Sequence, residues 1–318
     1  MALYSIVLLI LIALSFVYLK IAERYNIVDK PNERSSHSEP TIRGGGILFY
    51  VALCLFFCTH NFQYPYLVLG VTLIGGVSFI DDLKTLSSKI RLPFQFIAIL
   101  LVLIQMQLLD VSWWELIPLL IIGVGFINIY NFMDGINGIT GLYSLVVLLG
   151  FYMINLEAQV VDTDLLIYLM FSIAVFGYYN FRIKARFFAG DIGSISIAVI
   201  LFFIGGTLLY KLEAPVLLLF VVVYGADAIL TIIYRAILGE KIFDPHRRHI
   251  YQKLVDVTKT PHLWVAGGYA IVQLLINGIV YYTYKESFLT QLIVFFSVCI
   301  ALIISYIVLF IYLNKKKK

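Results

Sequence analysis

The residues best suited to chemistry lie between positions 123 and 141, where the chain reads GVGFINIYNFMDGINGITG. Asn128, Asn131, Asp134 and Asn137 recur at i, i+3, i+6 and i+9, a spacing that puts them on one face if a helix continues through them. Three carboxamides and a carboxylate in so apolar a stretch are costly to bury unless something binds them. Gly135, Gly138 and Gly141 let backbone or ligand come close. A polar loop between two membrane helices would explain a lone N-x-x-N as well, so the other motifs decide its meaning.

Adjacent Asp81 and Asp82, in FIDDLKTLSSKIRLPFQ, repel each other unless a cation lies near them. A carboxylate pair at a membrane surface suits Mg2+, which prefers oxygen ligands and keeps several waters. Mn2+ is the alternative ion. Lys84, Lys89 and Arg91 follow closely and suit a phosphorylated ligand. The plainer alternative is a charged cluster at a helix end. In FRIKARFFAGDIGSISIA, Asp191 and Ser194 open an apolar run, where Asp is either an ordinary N-cap or a metal ligand at a helix start that also welcomes phosphate. Asp227 lies inside an apolar run with Thr231 and Arg235 at successive i+4 steps, so it marks a site or an intramembrane pairing. His246, Arg247, Arg248 and His249 then form a compact basic cluster that fits a pyrophosphate better than nucleic acid. Arg34, His37 and Arg43 could grip an anion in the loop 26–46, with Gly44–Gly46 offering backbone N–H groups to a phosphate.

These motifs are set among long apolar segments. Of 318 residues, 61% are hydrophobic and 13% charged, which points to a polytopic membrane protein. Eleven runs, near 3–19, 44–59, 66–80, 93–109, 113–129, 138–154, 165–181, 192–209, 215–236, 263–284 and 288–313, read as membrane helices. The loops after the odd-numbered helices, with the C-terminal tail, hold 21 of the 23 Lys and Arg. The positive-inside rule then places the N-terminus outside, and the C-terminus and every motif on the cytoplasmic side. Residues 3–19 lack a preceding positive charge and a following A-x-A site, so they read as a retained helix rather than a signal peptide. Cys54, Cys58 and Cys299 all lie in apolar runs and imply neither a disulfide framework nor a metal site. The expected fold is all-α, a single transmembrane domain over residues 1–318. A transporter is the competing class, although only Asp227 lies well inside a span and no internal repeat is visible.

With its motifs assembled, the chain resembles the polyprenyl-phosphate N-acetylhexosamine-1-phosphate transferases (glycosyltransferase family 4), a superfamily that includes phospho-N-acetylmuramoyl-pentapeptide transferase. The resemblance rests on D-x-P-x-x-R-x-x-H with R-G-G-G (Asp29, Pro31, Arg34, His37, Arg43–Gly46), DDLKTLSSKIR, NIYNFMDGING, AGDIGS and HRRHIYQ, in family order across residues 26–254. It implies transfer of an N-acetylhexosamine 1-phosphate from a UDP-sugar to undecaprenyl phosphate, with release of UMP, at the start of O-antigen, capsule or wall-polymer synthesis. It implies a bacterial cytoplasmic membrane enzyme with Mg2+ held by Asp191, helped by Asp134 or the Asp81–Asp82 pair. Asp81 or Asp82 would otherwise accept the lipid phosphate proton. Asn128 and Asn131 would position Asp134 and the nucleotide-sugar. His249, with His246, Arg247 and Arg248, would bind pyrophosphate or sugar. Arg34, His37, Lys89, Arg91, Asn137, Ser194 and Tyr251 complete the implied substrate-binding set. A covalent aspartyl-phosphate route and a homodimer both remain compatible with the resemblance.

Two positions depart from the family pattern. Asn137 stands where relatives often carry a second Asp, and Tyr251 and Gln252 stand where many carry histidines, as in the subgroup ending HRxHxYQ. A tyrosine ring at that point suggests a 6-deoxy donor, UDP-N-acetylfucosamine or UDP-N-acetylquinovosamine, with the ring against the C6 methyl. The alternative is that Tyr251 packs the loop and UDP-N-acetylglucosamine is used.

Overall fold

A computed structural model of the chain describes residues 2–29, 39–108, 112–241 and 246–316. The anion-binding candidates Arg34 and His37 lie outside them.

Every apolar run falls on a helix. These are α1 (Ala2–Arg24), α2 (Ile47–Thr59), α3 (Pro65–Leu83), α4 (Ser88–Gln105), α5 (Trp113–Met133), α6 (Ile139–Ala158), α7 (Thr163–Asn180), α8 (Gly190–Leu212), α9 (Val222–Ile237), α11 (His262–Thr283) and α12 (Phe288–Lys316). A 3₁₀ segment, Pro215–Val221, leads into α9, and the short α10 (Ile250–Thr258) lies in the loop between α9 and α11. Among the described residues nine helices are long and apolar enough to cross a membrane, counting Pro215–Ile237 as one. At 13 residues α2 is shorter. The chain is an all-α polytopic membrane protein, the architecture that bilayers impose because each helix satisfies its own backbone.

α8 is the axis of the bundle. Its side chains are buried nearly all round, from Ile192 to Leu208, as expected of an apolar helix with neighbours on every side. α2, α3, α5 and α6 pack around it. α12 is the opposite case: equally apolar, it buries only Gln291 and Leu313, a tolerable arrangement where lipid covers the rest. Small residues set the closest approach in the bundle. A Cβ on Gly46 would lie 2.4 Å from the Cα of Gly193, so the starts of α2 and α8 touch backbone to backbone.

Three boundaries differ from the sequence expectation in ways that matter for the site. α4 begins at Ser88 rather than near 93, with Pro93 carried inside it. α5 runs on to Met133, which places Asn128 and Asn131 on regular helix and Asp134 at its C-cap. The chain leaves helical conformation there, so the one-face spacing ends at Asp134 and Asn137 turns elsewhere. Finally, the two-residue strands β1 (Val28–Asp29) and β2 (Thr41–Ile42) pair antiparallel, and Ile42 bridges to Phe187 ahead of α8.

Candidate active site

The ends of α3, α5 and α8 and the turn before α2 meet at one end of the bundle. Asp82, in the last turn of α3, accepts from the backbone N–H of Asp191 at 2.9 Å and of Ile192 at 3.2 Å. It therefore satisfies two of the orphan donors at the start of α8. Arg43 reaches in from the turn before α2, with Nε 2.7 Å from Asp82 and Nη2 3.1 Å from Asp191. Arg91 of α4 mirrors it, with Nη1 2.9 Å from Asp81 and 3.3 Å from Asp191. The second oxygen of Asp81 accepts from Leu86 N–H at 2.5 Å, closing the α3–α4 turn.

The geometry needs glycine at 190. Its φ is +70°, and a Cβ there would lie 2.5 Å from Asp82 Oδ2 and 2.7 Å from Gly44 N. The expected phosphate cradle at Gly44–Gly46 takes a different form. Gly45 and Gly46 already donate their N–H groups to Phe188 and Ala189 carbonyls, at 2.9 and 3.0 Å. These glycines serve close backbone packing against the α7–α8 connection.

α5 adds the amide face. The Ser194 hydroxyl lies within bonding distance of Asn131 Oδ1, at 3.0 Å, and of Gly190 O, at 3.1 Å. Asn128 forms a reciprocal amide pair with Gln95 of α4, at 2.9 and 3.3 Å. Asp134 accepts from Thr140 at 2.6 Å. Burial raises its carboxyl to about 6; the Thr140 bond lowers it, and the charges of Asp82 and Arg43 act from within reach. Asn137 donates to the Arg182 and Ile183 carbonyls, at 3.0 and 3.1 Å, and so ties the α5–α6 turn to the α7–α8 loop.

The C-terminal motif lies alongside. His249 caps α10, with Nδ1 3.3 Å from Asp227 Oδ1 and Nε2 buried without a partner. Tyr251 is 1% exposed and donates its hydroxyl to Phe132 O at 3.0 Å, so it packs against the turn that carries Asp134. Arg247 forms two bonds to Asp256, at 2.7 and 2.9 Å, and Arg248 pairs with Glu240. Both arginines line a cavity of about 790 Å³ together with Arg235, Lys241, His246 and Lys253. Burial, and then the nearby His249 ring and Arg235 guanidinium, lowers the His246 imidazole to about 4. Lys89 is exposed.

The structure thus links Asp81, Asp82 and Asp191 through Arg43 and Arg91, joins Asn131 to Ser194 at the start of α8, brings Asp134 within reach of the charges of Asp82 and Arg43, and sets His249 and Tyr251 beside the Asp134 turn. Sequence reasoning missed Gln95, Thr140 and Gly190. Only Gln95 left a trace, as an amide inside an apolar run.

The chemistry of the donor set fits a hard divalent cation. Four carboxylates, at 81, 82, 134 and 191, face two guanidinium groups, at 43 and 91, so negative charge is in excess and all the offered ligands are oxygens. At the other end of the bundle His60, Asp162 and Asp164 bring ligand atoms within 4.8 Å of one another, the one such group among the described residues. There His60 Nε2 and the Tyr4 hydroxyl already occupy the two Asp164 oxygens, at 3.0 and 2.6 Å.

Residues 64–208 match the family model for glycosyl transferase family 4. A probable undecaprenyl-phosphate N-acetylglucosaminyl 1-phosphate transferase of Bacillus subtilis is 25% identical over 275 residues, spanning 79% of this chain and 76% of that protein. The undecaprenyl-phosphate alpha-N-acetylglucosaminyl 1-phosphate transferase of Escherichia coli K12 is 26% identical over 265 residues, 74% of this chain and 71% of that protein. The decaprenyl-phosphate N-acetylglucosaminephosphotransferase of Mycobacterium leprae is 25% identical over 291 residues, 74% of this chain and 72% of that protein.

Proposed function

We propose that this chain, a member of glycosyl transferase family 4, moves an N-acetylhexosamine 1-phosphate from a UDP-sugar to undecaprenyl phosphate and releases UMP. A phosphate oxygen of the lipid attacks the sugar-proximal phosphorus, and the bond from that phosphorus to the bridging oxygen of UMP breaks. The observation that carries the reading is the four-carboxylate, two-arginine cluster at the joined ends of α3, α5 and α8. Phosphoryl transfer needs charge neutralisation and in-line positioning more than covalent help. A cluster fixed by helix ends supplies both.

The residues divide the work by exposure. The Asp82 side chain is fully buried and holds the first turn of α8, while that of Asp191 is 15% exposed and is the most open of the three that the arginines bind. Asp191 thus faces the ligand. With Asp134 or Asp81 it would hold Mg2+, which would neutralise pyrophosphate charge. Arg43 and Arg91 keep the carboxylates apart in register. Asp81, buried but at the rim, is the better placed of the pair to accept the lipid phosphate proton. Asn131 and Ser194 orient the donor, and His249 with the basic cavity takes its polar end. The isoprene tail lies in the bilayer.

N-acetylglucosamine is the first donor to test. The relatives named above are N-acetylglucosaminyl 1-phosphate transferases by name, and the buried Tyr251 ring, with its hydroxyl engaged, packs the loop. The site would face the cytoplasm of a bacterial inner membrane, where UDP-sugars are made, and its product would prime a surface glycan. A transporter is not favoured, because the acids gather at helix ends and the relatives are transferases. The test is UMP release by purified protein given undecaprenyl phosphate and a UDP-sugar. Mg2+-dependent UMP supports the reading; release of UDP in place of UMP refutes it.

A further inference from the structure

We infer that Asp227 is a positioning residue that sets the orientation and tautomer of His249. The inference rests on the transfer reaction above. Asp227 is 3% exposed within α9 and receives five donors: His249 Nδ1 at 3.3 Å, Ile250 N–H at 3.0 Å, Tyr251 N–H at 3.4 Å, Thr231 Oγ1 at 3.2 Å and Tyr269 OH at 2.6 Å. A carboxylate so deep is tolerable only when donors surround it. Three of the five come from residues 249–251, where the first turn of α10 has N–H groups with no partner inside the helix. One side chain of α9 therefore caps a second helix and aligns the ring at its start.

The chemistry then follows from donor rules. A carboxylate only accepts, so the ring nitrogen facing it must carry the proton. The neutral imidazole is fixed as the Nδ1–H form, and Nε2 holds a lone pair. That Nε2 is buried and has no partner. The ring is clamped on other sides as well: its centroid is 5.7 Å from Tyr251 at 21°, and its backbone N–H donates to Gln252 Oε1 at 3.3 Å. Tyr251 in turn bonds Phe132 O, beside the turn that carries Asp134. Nε2 is thus held ready to accept a hydrogen bond from a ligand hydroxyl, and Asp227 acts through it without touching substrate.

The test is a double-mutant cycle on the full-length protein, with UMP release and Tm as readouts. Asp227→Asn keeps one acceptor for the backbone cap but offers an N–H to the ring, which inverts the tautomer. We expect kcat to fall by roughly 10²-fold or more, because an inverted tautomer removes the acceptor that meets the ligand hydroxyl. The same substitution in a His249→Gln background should cost nothing further, and Asp227→Glu should recover at least tenfold. Tyr269→Phe, which removes a donor from the same carboxylate and leaves the tautomer alone, should keep kcat. Equal losses in both backgrounds would make Asp227 merely structural and overturn the inference, as would a fully active Asp227→Asn. Histidine 15N spectra supply a readout apart from turnover. An Nδ1–H ring that is lost in Asp227→Asn supports the positioning, and its absence from the wild type contradicts it. Wild-type protein that shows the ring signature but releases no UMP would instead refute the reaction.

Discussion

Gly190→Ala tests the idea that one buried carboxylate locks three helix ends together. Alanine at φ +70° costs about 1–2 kcal/mol in backbone strain alone. Its Cβ would then meet Asp82 Oδ2 at 2.5 Å and Gly44 N at 2.7 Å, so the surroundings must retreat by most of an ångström. Neither neighbour is a loose side-chain end. Asp82 is held by two backbone N–H groups and Arg43, and Gly44 is backbone of the turn before α2. Overpacking of this kind adds about 1–3 kcal/mol. The sum is a destabilisation of about 2–5 kcal/mol, with Asp82 and Asp191 displaced relative to Asp134. Misplacing reacting groups by ~1 Å costs on the order of 10²-fold in rate. Thermal unfolding in detergent and UMP-release kinetics read the two effects separately. Gly225→Ala is the control, since a Cβ there meets nothing within 4 Å. Wild-type Tm and turnover in Gly190→Ala would refute the lock.

Three further outcomes can be checked. For topology, single cysteines replacing Asp162 and Glu213 should label from outside intact cells, and those replacing Ser88 and Lys259 only after permeabilisation; the reverse pattern would invert the bundle. For the donor, UDP-N-acetylglucosamine should give a higher kcat/KM than the two 6-deoxy donors, because Tyr251 is spent on Phe132 O; a clear 6-deoxy preference would return the ring to the sugar pocket. For pH, His246 sits at about 4 in the folded chain against an ordinary 6.5, so the unfolded state takes the proton first as pH falls. Its contribution is present above pH 6.5 and is lost as pH falls towards 4. Tm should therefore drop more between pH 7 and 5 in wild type than in His246→Gln, and equal drops would contradict the assignment.

Most of the architecture was legible because membrane helices announce themselves by apolar length, and each run lies on a helix. The motif acids were legible because carboxylates in apolar surroundings demand a reason. What escaped depends on partners far apart in the chain. Arg43 reaches Asp191 across 148 positions, which no local pattern encodes. Gly44–Gly46 has the look of a phosphate loop, yet the Gly45 and Gly46 N–H groups are spent on the carbonyls of 188 and 189. Asn137 carried the spacing of the amide face, yet the α5 C-cap turned it towards the α7–α8 loop. Arg247 and Arg248 looked like free phosphate ligands, whereas acids on the same segment between α9 and α11 already hold them. Asp227 was recognisable as meaningful, but its five donors come from its own helix, from α11 and from the start of α10, so its meaning required the fold.

In the proposed reaction the sugar moves together with its phosphate. UDP-N-acetylglucosamine labelled with 32P at the sugar-proximal phosphorus, incubated with purified protein, Mg2+ and undecaprenyl phosphate, tests it directly. The label should pass into the lipid fraction while unlabelled UMP appears in equal amount, and EDTA or Asp191→Asn should suppress both. Label that stays in the nucleotide while the sugar alone reaches the lipid would contradict the account.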